Sequence, residues 1–82
     1  MMLLCYVDGK FVKPEEAVLP ISDLIIQRGV GVFEALVSIN QKPLMLTPHM
    51  ERFMNSAKRL KFANIPDVEF MKGIVREGIA NN

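Results

Sequence analysis

Two glycines one residue apart, Gly29 and Gly31, stand at the mouth of an alternating run in the stretch QRGVGVFEAL, residues 27–36. Over residues 32–39, Phe33, Ala35, Val37 and Ile39 fall on one face. Val32, Glu34, Leu36 and Ser38 fall on the other, the period-two pattern of a strand. The glycines therefore lead into a strand. Loops that cradle nucleotide phosphates have the reverse order, a strand followed by glycines that open a helix whose N–H groups receive the phosphate. That reversal argues against a nucleotide-binding fold. A glycine in such a place signals a turn or a close approach by something other than protein, and a single tight turn does not need both.

The rest of the chain sets the fold class. Residues 3–7 and 10–12 flank Asp8-Gly9, a pair suited to a two-residue hairpin turn in which both central positions need positive φ. Pro14 and Pro20 lack the N–H that a ladder requires, so residues 13–20 leave the sheet. Residues 22–27 read as a short helical turn capped by Ser22 or Asp23. Residues 40–43 form a turn, and Leu44, Met45 and Leu46 a short returning strand. Thr47 and Pro48 signal a helix start, with Thr47 as N-cap and Pro48 in the first helical position. Met50, Phe53, Met54, Ala57 and Leu60 then recur at helical spacing. Residues 62–67 interrupt, and Asp67 caps a second helix. There Val68, Met71, Ile74, Val75 and Ile79 face inward, and Gly73 and Gly78 weaken it. The order hairpin, strand, strand, helix, helix lacks a βαβ unit and predicts an α+β domain with an antiparallel sheet. The closing residues 80–82 offer no obvious closing structure, and the chain is expected to be a piece of something longer.

Composition narrows the function classes. Half of the 82 residues are hydrophobic and 23% are charged, which predicts a core and argues against disorder. So short a chain has little interior, so some of that apolar surface is expected to be covered by another domain, a partner subunit or further sequence. Ten basic and nine acidic residues leave a net charge of +1, without the footprint of a nucleic-acid binder. Cys5, the lone cysteine, rules out an internal disulfide framework or a cysteine zinc cluster and reads as a buried small hydrophobe. Residues 1–7 lack a basic leader, and no apolar run approaches the roughly 20 residues of a membrane span. A cytoplasmic, soluble protein without nucleic-acid or membrane partners is expected.

The candidate site residues follow from spacing. His49, Arg52, Ser56 and Arg59 share one flank of the first long helix, outside its apolar stripe. Two readings stay open: a solvated polar face, or an anion site in which the Arg52 guanidinium forks phosphate oxygens and His49 adds a donor. Glu34 is either a half-exposed acid or one paired within the fold. A single histidine and no acids at ligand spacing give no metal site, and no serine, histidine and acid announce a triad.

The segments YVDGKFV, ISD, RGVGVFEAL and KPLMLTPHMERFMNSAKRL, in that order, resemble the start of the class IV aminotransferases. These are the fold-type IV pyridoxal-phosphate enzymes, branched-chain and D-amino acid aminotransferases and aminodeoxychorismate lyase among them. The resemblance runs from Tyr6 through Leu60 and more weakly beyond. It implies that residues 1–82 are the N-terminal small domain, in part, of such an enzyme, with the large catalytic domain absent from this chain. Pyridoxal 5′-phosphate would sit between the two domains, and a homodimer would complete the pocket. The implied reaction moves an amino group between an amino acid and a 2-oxo acid. Aminodeoxychorismate lyase chemistry, which eliminates pyruvate, is the alternative within the fold, and a non-catalytic interaction module is the reading from another class.

By position, Arg52 matches the arginine that binds the cofactor's phosphate, and His49 a histidine of the same motif that supports it. Phe33 matches an aromatic position near the substrate. Residues 29–31, Gly31 included, match main chain that passes beside substrate and cofactor. Arg28 stands where relatives often carry an aromatic residue, a departure that suits an acidic group on the substrate. The resemblance assigns no catalytic residue here, because the lysine that attaches the cofactor and the acid facing its pyridine nitrogen belong to the large domain. Lys10, Lys13, Lys42, Lys58, Lys61 and Lys72 match other positions, so the 82 residues by themselves are expected to be inactive.

Overall fold

Asp8 and Gly9 both adopt positive φ, 52° and 84°, the geometry that a two-residue turn demands. In the computed structural model, which describes residues 3–82, this turn joins β1 (Cys5–Val7) to β2 (Lys10–Val12). Met1 and Met2, part of the stretch read as lacking a basic leader, lie outside the described residues. The strands pair antiparallel with Tyr6 opposite Phe11, and the two rings meet edge to face at 5.1 Å. Cys5 is half-buried rather than fully enclosed. A single 3₁₀ turn at Pro14–Glu16 follows.

Next comes α1 (Leu24–Arg28), capped by Asp23, whose side chain accepts from the Ile25 N–H at 2.9 Å. Asp23 rather than Ser22 is the cap. The helix ends on Gly29 in the left-handed region, φ 67°, with the Gly29 N–H donating to the Ile25 carbonyl at 3.1 Å.

The alternating run departs from expectation. Of residues 32–39 only β3 (Ser38–Ile39) is strand, paired antiparallel with β4 (Lys42–Pro43). The alternation itself survives in burial: Val32, Glu34 and Leu36 are partly buried, while Phe33, Ala35 and Val37 are exposed. Period two reports which side a backbone turns inward, but a ladder also needs a partner strand, and among the described residues none pairs with residues 32–37, although the Val37 carbonyl accepts from the Leu44 N–H at 2.8 Å. The return is tighter than expected as well. Asn40 and Gln41 both take positive φ, so the chain pairs again at once from Lys42, and residues 44–46 are not a strand.

Helix α2 (Leu46–Arg59) begins earlier than Thr47 and Pro48 signal. Its N-cap is Met45, left-handed at φ 54° and with no side-chain cap. Leu46 is buried at 7% exposure, and burying it draws the first turn back. Pro48 is tolerated because the first N–H groups of any helix have no intrahelical partner. Met50 and Ala57 are buried, Phe53 and Met54 partly so, while Leu60 at the end of the stripe is exposed. Helix α3 (Val68–Asn81) is capped by Asp67, which accepts from the Phe70 N–H at 2.7 Å, and its five predicted apolar positions are half-buried. It packs on α2 and touches β1 and β4. Asn82 supplies a closure that residues 80–82 did not announce. It accepts from the Leu4 N–H at 2.6 Å and donates to the Leu4 and Gly78 carbonyls at 3.2 and 2.8 Å.

The described residues form an α+β arrangement of two separate two-stranded antiparallel hairpins, in place of the one expected sheet, and three α-helices. It is a thin slab, 36 × 30 × 18 Å, with a radius of gyration of 13.6 Å against about 12 Å for a compact chain of this length. Its exposed area is 6484 Å², against the roughly 5,000 Å² of a folded monomer of this mass. The apolar excess read from composition lies on that extra surface, with Val18, Ile21, Leu24, Ile26, Phe33 and Val37 all more than half exposed.

Candidate functional site: a carboxylate–arginine–histidine cluster

Glu34 lies on the inward side of the unpaired run, and its side chain is only 8% exposed. Facing it are two residues one helical turn apart on α2, His49 and Arg52. The Arg52 Nε–H donates to Glu34 Oε2 at 2.9 Å and its Nη2–H to Oε1, a bidentate fork. His49 Nδ1 lies 2.6 Å from Glu34 Oε1. An ionised carboxylate can only accept, so the histidine carries its proton on Nδ1 and donates. Nδ1 then has no free lone pair, and its 3.4 Å separation from Arg52 Nη2 is proximity rather than a bond.

The electrostatics follow. The Arg52 hydrogen bonds, then that from His49, hold the Glu34 carboxyl down to about 2 from an ordinary 4.5, against the opposing effect of desolvation. Glu34 in turn raises Arg52 above its ordinary value. Both groups stay charged through the neutral range, so Arg52 remains a permanent cation with one edge neutralised.

Its other edge is free. The Arg52 side chain is 67% exposed, and Nη1 with the second Nη2–H has no protein partner among the described residues. The Arg52 side chain borders an open depression of about 320 Å³ lined by Phe33, Glu34, Ala35, Arg52 and Ser56. A second depression, about 310 Å³, is lined by Met45, Pro48, His49 and again Arg52. A guanidinium edge and a hydroxyl beside an exposed aromatic ring form a donor set for a small aryl oxyanion. No lysine lines either depression.

Of the residues singled out from sequence, the structure brings Arg52, His49 and Phe33 into one cluster. Gly31 and Arg28 lie apart from it. Gly31 lines a different depression with Ile25, Phe53 and Ala57, and a Cβ there would come within 2.5 Å of Ile25 Cδ1. The two glycines thus have separate tasks in the fold, Gly29 ending α1 and Gly31 admitting Ile25. Arg28 is exposed in the last turn of α1. Glu34, left open from the sequence as half-exposed or paired within the fold, is paired, but with partners 15 and 18 positions away that spacing did not name. Its isolation as an acid between Val32 and Leu36 was the available signal. Among the described residues no group of three His, Cys, Asp or Glu could hold a metal ion, and no helix is long and apolar enough to cross a membrane.

The chain is homologous to aminotransferase-like proteins. It is 32% identical over 80 residues to Branched-chain-amino-acid aminotransferase-like protein 2 of Arabidopsis thaliana, covering 98% of this chain and 14% of that protein. To the D-amino-acid transaminase, chloroplastic, of the same organism it is 34% identical over 74 residues, 90% of this chain and 20% of the relative. The chain thus spans between a seventh and a fifth of the length of these curated relatives. No family model matches it.

Proposed function

We propose that this chain is the N-terminal part of a class IV aminotransferase small domain and forms the phosphate-holding wall of a pyridoxal 5′-phosphate site. The observation that carries the reading is the free Nη1/Nη2 edge of Arg52, an arginine anchored on Glu34 that lines a depression with Ser56 and Phe33. The likeness to aminotransferase-like proteins along almost the whole chain supports it.

The residues present suit the cofactor's phosphate. A phosphate monoester offers oxygens in the plane that a guanidinium edge forks, and the Ser56 hydroxyl can donate to a third. His49 acts on Arg52 through Glu34, not directly. The exposed Phe33 ring provides an apolar surface on the same depression. When bound, the cofactor supplies an electron sink for the bonds at the amino acid's α-carbon. In this reading the chain's residues bind and orient, while the lysine that attaches the cofactor lies in the remainder of the protein. Arg28 and residues 29–31 would border the substrate only once that remainder is in place.

The activity test uses the protein encoded by the complete reading frame, given the cofactor, an amino acid and 2-oxoglutarate. Glutamate together with a new 2-oxo acid is the expected product pair. Pyruvate released without amino exchange would instead mark the lyase. A frame that stops at Asn82 and yields neither product would leave the interaction module and contradict the proposal.

A further inference from the structure

A guanidinium has two edges that can each fork a pair of oxygens, Nε with Nη2 and Nη1 with Nη2. Glu34 fills the first edge of Arg52. His49 Nδ1 fixes the same carboxylate at 2.6 Å, so Glu34 cannot rotate away without losing both partners. Anchor and free edge are also separated by depth, since the Glu34 side chain is 8% exposed and that of Arg52 67%. An arginine on an exposed helix face ordinarily samples many rotamers, and ordering it when a ligand arrives weakens binding. Here the ordering is already done.

Resting on the phosphate role given to Arg52 above, we propose that Glu34 is a positioning residue that presents the Nη1/Nη2 edge of Arg52 to a phosphate monoester in the depression shared with Phe33 and Ser56. Simple charge gives the opposite expectation. A carboxylate beside an anion repels it, so removing that charge should tighten anion binding. The sign of the Glu34 effect therefore separates positioning from charge.

The experiment titrates the protein with phenyl phosphate, followed by ³¹P NMR, and reads the Arg52 Nε–H resonance in parallel. Wild type binds, and Arg52→Ala does not. Glu34→Gln, nearly the same shape but uncharged, weakens binding about tenfold or more, the loss of roughly one charge-assisted hydrogen bond. The Arg52 Nε–H exchanges slowly in wild type and quickly in Glu34→Gln. If Glu34→Gln does not fold, Glu34→Asp keeps the charge with a shorter reach and is expected to bind more weakly than wild type. Phenyl phosphate binding that still needs Arg52 but is unchanged or tighter in Glu34→Gln overturns the positioning role and leaves the phosphate reading standing. Fast exchange of the Arg52 Nε–H in wild type overturns it too. Failure of wild type to bind, or equal binding by Arg52→Ala, overturns the phosphate reading and the role of Glu34 with it.

Discussion

Helices α1 and α2 are both rich in apolar residues, yet only one of them builds a core. In α2 the apolar side chains recur every three or four positions, so Leu46, Met50 and Ala57 reach one side and are buried. In α1 Leu24, Ile25 and Ile26 are consecutive, spread around the axis, and all remain about half exposed. Both helices have defined ends, α1 through Asp23 and Gly29. Caps set where a helix begins and stops, but spacing decides whether it has a face to bury. The polar flank of α2 gains from this: a helix fixed by its apolar side can hold His49 and Arg52 still against Glu34.

The difference is breakable by mutation. Met50→Ala should destabilise the protein most, by about 2 kcal/mol or more, because it removes a buried side chain and leaves a cavity. Denaturant unfolding measures it. Gly29→Ala comes next, at about 1 kcal/mol, since an L side chain is disfavoured at its φ of 67°. In acid the α2 cluster should show itself. Glu34 has its carboxyl lowered to about 2 in the fold from an ordinary 4.5, so its stabilisation is complete above 4.5 and disappears as the pH falls toward 2. Wild type should therefore lose stability relative to Glu34→Gln across that window, and parallel acid-unfolding curves would remove the cluster from the account. The smallest effect belongs to α1, where Ile26→Ala should cost under about 0.5 kcal/mol. A cost equal to that of Met50→Ala would mean that α1 is covered in solution and that the contrast is false.

Local chemistry was readable in the chain. Asp8-Gly9 fixed a turn and Asp23 and Asp67 fixed helix starts because each signal acts within three residues. The alternation of residues 32–37 correctly separated inward from outward side chains, but it could not show that no strand pairs with them. Thr47 and Pro48 gave the wrong helix start because burial of Leu46 outweighed a favourable cap. The site was half legible. Arg52 and His49 declared themselves by spacing on one helix, whereas their link to Glu34 is a tertiary contact that no local pattern encodes.

In the proposed function the outward edge of Arg52 clamps a phosphate. Pyridoxine 5′-phosphate and pyridoxine isolate the phosphate, because both lack the aldehyde and they differ only in the phosphate ester. Their affinities, measured calorimetrically for wild type and Arg52→Ala, give the phosphate's contribution with and without the guanidinium. A preference for the phosphorylated form that falls about tenfold or more in Arg52→Ala is the predicted result. A preference of the same size in both proteins would contradict the account.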